Sequence, residues 1–296
     1  MELSKGDRNA APSHRYLVGE IEVIVVPDGE RTAPVPEGFV LNASTDEVKV
    51  AYAAHGIPEG QGNTPFNPTV IRTAGKTVLV DTGCGADTAE EPGATAGFLM
   101  RNLAAIGIGP NDVDIVVISH FHGDHVSGLV ALDGGPAFPR AEITVPTNEW
   151  TFWMDDGERS RATPGRMQRL FEHNRAVFGP LADRVVTHAW DEEVVPGVTA
   201  IGTPGHSIGH TSYLVSSAGE SVFLIQDVSN HPALSLEHPG WHLAFDQDPV
   251  AAESTRRRTL DWLVREQMPV QGFHFPFPGH ATVEAVGDAY RAVPIA

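Results

Sequence analysis

A histidine-rich hexapeptide closes a β-branched run: DIVVISH (Asp114 to His120) passes directly into HFHGDH, so His120, His122, Asp124 and His125 fall within six residues. Residues two apart at a strand end point to the same side, so His120 and His122 can grip one cation. Asp124 and His125, beyond Gly123, are placed to turn toward a second position. Imidazole nitrogen with carboxylate oxygen suits zinc, and also accepts manganese, iron or cobalt. Three later strand ends add donors: VTAIGTPGH brings His206, SVFLIQD brings Asp227 and VQGFHF brings His274. A metal pair needs about three protein ligands per ion and one bridging group. Five histidines and two aspartates meet that need.

The rest of the chain supplies a matching frame. Ile21 to Val26, Thr77 to Gly83, AEITVP, TSYLVSS and SVFLIQD (Ser221 to Asp227) read as strands, being β-branched runs closed by turn residues. Helical patterns lie at 94–106, 147–178 and 249–267, the last with Pro249 in its first turn and Leu260, Trp262 and Leu263 on an apolar face. Residues 27–68, rich in Pro and Gly, read as a long loop or hairpin over the domain, with a lid as one role for it. The expected organisation is a tail over residues 1–17 and one layered α/β domain over 18–296.

Charge narrows the partners. With 20 Lys+Arg against 38 Asp+Glu the formal net charge is −18, which disfavours nucleic acid and anionic membranes, both of which select for Lys and Arg. The single cysteine, Cys84, excludes an internal disulfide and reads as a small packed residue. No apolar run reaches membrane-span length and the N-terminus has no apolar signal core, so a cytoplasmic protein is expected. A small-molecule substrate and a homodimer are the partners expected.

HFHGDH, TPGHSIGH, the strand-final Asp227 and the late FHFPFPG together resemble the metallo-β-lactamase fold superfamily, whose hallmark is HxHxDH. The resemblance runs from about Val18 to Pro294 and includes the DTG turn at Asp81 to Gly83. It implies a four-layer αββα sandwich with two divalent ions, zinc foremost, at one edge between the sheets. His120, His122 and His206 would hold the first ion, Asp124, His125 and His274 the second, and Asp227 would bridge. FDQDP (Phe245 to Pro249), the helix after it, FHFPFPG and DAYRAVP are similar to the methyl parathion hydrolase-like and lactonase-like branch. His280, in FPGHATV, competes with His274 for the last ligand position. Asp227 stands where many true β-lactamases use cysteine, and Asn230 where many lactonases carry tyrosine.

Two ions sharing a water would lower its pKa and leave a hydroxide to attack a carbonyl carbon or a phosphorus. Asp124 would then carry the proton to the leaving group, and Asp227 would serve at the same centre. Ser207 and Cys84 need no catalytic role. Asp81 is expected to orient a metal-bound imidazole, and His210 to pack or hydrogen-bond beneath the site. Trp150 and Trp153, at helical spacing, read as core or as an apolar wall for an acyl or aryl group, a wall to which Phe121 and Phe275 would add. His231 is either a pocket or a surface residue. The expected function is a dinuclear metal-dependent hydrolase of a small ester, lactone or related carboxyl compound. Alternatives are a phosphotriester hydrolase or hydrolytic dehalogenase on the same site, and a non-catalytic metal-binding sensor.

Overall fold

Alternation along the strands sets the architecture. In Lys76–Val80, Val78 and Val80 face one way and Leu79 the other, all fully buried, so the sheet that holds this strand must be covered on both faces. The computed structural model describes residues 12–295 and shows both covers.

The strands are β1 (His14–Val18), β2 (Ile21–Val25), β3 (Gly29–Pro34), β4 (Gln61–Phe66), β5 (Thr69–Thr73), β6 (Lys76–Val80), β7 (Ile115–Val117) and β8 (Glu142–Pro146). They continue as β9 (Val185–His188), β10 (Glu193–Val195), β11 (Val198–Gly202), β12 (Thr211–Ser217), β13 (Glu220–Leu224), β14 (Val270–Gln271), β15 (His280–Val286) and β16 (Ala289–Pro294). Among the described residues they form a seven-stranded sheet in the order β1-β2-β5-β6-β7-β8-β9, a second in the order β10 to β16, and the hairpin β3-β4. From β6 to β9 the first sheet is parallel.

Val23, Ile71, Val78, Val80 and Val117 of the first sheet pack against Val198, Ala200, Tyr213, Val215 and Leu224 of the second. On the outer face of the first sheet, Leu79, Val116, Ile143 and Val145 meet Leu99 and Leu103 of helix Leu99–Ala105, Trp153 of Thr147–Met154 and Phe171 of Arg166–Phe178. Helix Pro249–Glu266 lays Leu260 and Leu263 on Phe223, Val270 and Val283 of the second sheet. Each buried aliphatic side chain is worth about 1.5–3 kcal/mol. The result is the expected αββα sandwich.

Several expected boundaries move. Strand β1 starts at His14, ahead of the expected domain start at residue 18, and pairs along β2; residues 1–11 of the expected tail lie outside the described residues. The helical stretch 147–178 is three helices, because Asp155 caps a new one by accepting from Glu158 N at 2.7 Å and Pro164-Gly165 separates the third. Strand β7 ends at Val117, since the Asp81 carboxylate takes the Ser119 N–H at 2.8 Å.

The 27–68 region is the hairpin β3-β4 with helix Thr45–Ala54 inserted, its start set by a Ser44–Glu47 capping box. This insertion is laced to the segment after β13: Val40 and Leu243 form an antiparallel bridge, and Leu41 N donates to His242 O at 2.7 Å. No helix among the described residues is long and apolar enough to cross a membrane.

Candidate metal centre

The parallel strands deliver their loops to one edge of the sandwich, and the first motif turns there. Asp81 follows β6 in a left-handed conformation (φ 59°) and is wholly buried. One carboxylate oxygen accepts from Ser119 N and the other from Ser119 Oγ, both at 2.8 Å. That second oxygen also lies 2.8 Å from His125 Nδ1.

This arrangement fixes imidazole tautomers. Ser119 spends its hydroxyl proton on Asp81, so its oxygen accepts from His120 Nδ1–H at 3.0 Å and leaves His120 Nε2 bare. His125 Nδ1–H donates to Asp81 and leaves its Nε2 bare. His206 Nδ1–H donates to Asp246 Oδ1 at 2.8 Å, and His274 Nδ1–H donates to Pro65 O at 2.7 Å. Four rings therefore turn Nε2 to the centre, the nitrogen that is bare when the ring is neutral, as metal-ligating histidines do.

The ring nitrogens that face the centre converge in two groups. His122 Nδ1 lies 2.8 Å from His206 Nε2 and 3.0 Å from His120 Nε2, and the last two are 3.2 Å apart. Burial holds His120 and His122 well below the usual histidine pKa, which keeps their lone pairs available. Beside them, His274 Nε2 lies 3.5 Å from Asp124 Oδ2 and 3.2 Å from Asp227 Oδ2, and His125 Nε2 lies 3.2 Å from Asp227 Oδ1. Asp227 also approaches His206 Nε2 at 3.2 Å and so stands between the groups. Burial lowers the pKa of His125 and His274, yet the Asp227 charge and hydrogen bond outweigh it together with Asp124, and for His125 also Asp81, so that both are raised.

The donor set fits a pair of divalent ions. His125 Nε2 and Asp227 Oδ1 are buried with no hydrogen-bond partner, the condition of ligand atoms that await a cation. His210 is wholly buried against His120 but is no ligand. Its Nε2 accepts from Asp227 N at 3.1 Å, and its Nδ1 lies 2.8 Å from Thr203 Oγ1. It positions Asp227 from beneath. His280 lies away from the centre, on β15, with its ring stacked 3.9 Å from Tyr16.

Side chains that the sequence reading passed over hold this frame. Wholly buried Glu149 accepts from Phe121 N at 3.1 Å, Gly209 N at 2.7 Å, Trp153 Nε1 at 2.7 Å and the Ser207 hydroxyl, so it ties the HFHGDH loop to the GHSIGH loop. Asp246 faces the guanidinium of buried Arg256 at 3.7 Å, and Arg256 donates to Val228 O, Pro239 O and Trp241 O at 2.8–3.0 Å. Asn67 Nδ2 donates to Phe273 O at 3.0 Å and Phe275 O at 2.8 Å, shaping the loop that carries His274 beyond the short β14.

A cavity of about 260 Å³ opens on the centre. Phe39, Tyr52, Leu170, Leu234 and Phe245 give it apolar walls, and His231, Asn230 and Arg166 give it polar ones. The expected aromatic wall is elsewhere. Phe121 stacks on Phe178 at 4.2 Å, Trp150 meets the edge of the same ring, Trp153 packs on Phe171, and Phe275 lies in the core under the second sheet. Phe121 alternates with His120 and His122, so its side chain must point the opposite way. A larger cleft, of about 670 Å³, lies among the hairpin turns at the opposite edge, and no histidine lines it.

The family model of the metallo-beta-lactamase superfamily matches residues 63–261. An N-acyl homoserine lactonase from Bacillus thuringiensis is 24% identical over 223 residues, covering 70% of this chain and 80% of the relative. The human metallo-beta-lactamase domain-containing protein 1 is 26% identical over 234 residues, covering 79% of this chain and 72% of the relative. Among solved structures, the dizinc quorum-quenching lactonase AidC superposes with a TM-score of 0.87 at 22% identity, covering 96% of this chain and 97% of its own. The hydrolase AbOPH superposes at 0.86 with 24% identity, over 98% of this chain and 99% of its own. This chain is a hydrolase of the metallo-β-lactamase superfamily, to which it belongs by sequence and by fold.

Proposed function

We propose that the protein is a dinuclear metal-dependent hydrolase of a small carboxylic ester or lactone. The observation that carries this reading is the convergence of His120, His122 and His206 within 3.2 Å, beside the carboxylate-flanked pair His125 and His274. His120, His122 and His206 would hold one ion, Asp124, His125 and His274 the other, with Asp227 shared. Bound there, two divalent ions, zinc foremost, supply Lewis acidity and an acidified water. The chain's own groups do the rest. Asp124 is the one carboxylate of the set that is both partly exposed, with 29% of its side chain open, and turned into the cavity. It is therefore the group placed to take a proton and return it to a leaving oxygen. The cavity walls from Phe39 and Tyr52 to Leu234 and Phe245 suit an acyl chain and keep water from it. The lactonase relatives agree with this substrate class.

The test is a set of initial rates on matched aryl ester, lactone, β-lactam and phosphotriester substrates, with protein stripped of metal and reloaded with zinc or manganese. The expected result is metal-restored hydrolysis, fastest on ester or lactone. A fastest rate on the phosphotriester would replace the substrate class. Two bound ions with no hydrolysis across the panel would replace the enzyme with a binding role.

A further inference from the structure

We propose that Arg166 anchors a carboxylate carried by the substrate, and that filling the His122 site frees it to do so. The inference rests on the hydrolase reading and narrows its substrate class. Arg166 opens helix Arg166–Phe178 and is the only Lys or Arg among the described residues that line the cavity. Its Nη1 donates to Phe245 O at 3.0 Å, and its Nη2 donates to His122 Nε2 at 3.2 Å. A guanidinium has five N–H donors and no lone pair, so several donors are uncommitted toward the cavity.

The contact with His122 conflicts with a metal at that ring. His122 turns Nδ1, not Nε2, to His120 and His206. A neutral imidazole has one bare nitrogen: if Nδ1 binds an ion, Nε2 carries the proton and cannot accept from Arg166. The other four ligand rings have tautomers already set for an ion by Ser119, Asp81, Asp246 and Pro65 O. His122 alone is held by Arg166 in the opposite sense. Occupancy of the site must therefore break one hydrogen bond and leave the guanidinium short of an acceptor at the wall.

That cation then needs an anion. The acidic groups near it are Asp124 and Asp246, and neither is free to serve. Asp246 is committed to His206 and Arg256, and Asp124 is assigned to the second ion with His125 and His274. With two divalent ions alongside, the wall is strongly cationic although the chain as a whole carries −18. A planar carboxylate on the substrate, accepting two N–H bonds from the guanidinium, is the complement.

Two measurements test this, and neither needs turnover. The first is zinc affinity by chelator competition for wild type, Arg166→Met and Arg166→Lys. Arg166→Met is expected to bind the first ion about tenfold tighter, because the competing hydrogen bond and a neighbouring positive charge are gone. Equal or weaker binding overturns the release. The second is calorimetric binding of adipamic acid, hexanamide and hexanoate to the zinc-loaded proteins. Adipamic acid should lose about tenfold in Arg166→Met and less in Arg166→Lys, which keeps a charge without the fork, while hexanamide changes less than about twofold. Equal losses on adipamic acid and hexanamide, or none, overturn the anchor. A loss on hexanoate with none on adipamic acid assigns Arg166 to the product's carboxylate and overturns the substrate claim. Thermal melts exclude misfolding of Arg166→Met, and Arg166→Lys repeats both measurements independently. Failure of the hydrolase reading would show separately, as absent turnover with these binding differences intact.

Discussion

His206 owes its orientation to a neighbour that contributes no ligand atom. Asp246 fixes its Nδ1 proton, and buried Arg256 braces Asp246 by way of three backbone carbonyls. Asp246→Asn removes that charge without changing the side chain's shape, and zinc affinity measured by chelator competition should fall about 10–100-fold. His231 makes a different prediction at the same scale. Its Nδ1 accepts from Ala233 N at 3.2 Å, and burial, helped by the charges of His55 and His274, pushes its pKa down to about 3. The folded protein keeps it neutral, whereas the unfolded chain protonates it below about 6.5. Its contribution to stability is thus complete above that pH and is lost as pH falls toward 3. In urea denaturation of the metal-free protein, His231→Gln should remove up to about 1.4 kcal/mol per pH unit of slope across this window. An unchanged slope would mean that the ring is solvated.

At the scale of elements, Glu149 joins the turn after β7 to the loop before β12 through Phe121 N, Gly209 N, Ser207 and Trp153. A glutamine there presents an amide NH2 to groups that all donate, so Glu149→Gln should cost about 1–3 kcal/mol in denaturant titration and weaken metal retention. This carboxylate shows which parts of the site are legible in a sequence. The seven ligand candidates stand out because strand-end histidines and aspartates have few other reasons to cluster. Glu149 does not, because a glutamate in a helix ordinarily faces water and only tertiary contacts reveal otherwise. Phe121 was open to the same alternation that aligns His120 with His122, and applying it would have sent the ring to the core. The sheets were legible as β-branched runs closed by turn residues, but the breaks within 147–178 depend on an Asp155 cap and a Pro-Gly turn that helical periodicity overrides. Asp246, in FDQDP, was visible only as part of a family pattern, since its partners Arg256 and His206 come from distant segments.

For the whole molecule, the edge of the sandwich is an electrostatic liability without ions. Five imidazoles and two carboxylates crowd into one buried volume, and two of the rings are pushed toward protonation while two are pushed away from it. Ions that bind only the folded chain stabilise it by mass action, about 4 kcal/mol for one site at a thousandfold excess over its Kd. Chelator-treated protein should therefore melt several degrees lower, and added zinc should restore the transition. A melting temperature indifferent to both treatments would contradict a metal centre at this edge.

The lacing of the insertion after β2 to the segment after β13 has a further consequence, for descent. One half of the cavity wall leaves from the first sheet and the other from the second, yet Val40–Leu243 pairing and the Leu41–His242 bond join them as a single fabric. Exchange of either segment alone with a relative would leave unmatched backbone donors and acceptors at the mouth. Specificity in this lineage is then heritable as a pair of segments about 200 residues apart, and chimaeras that swap both together should fold and bind where single swaps fail.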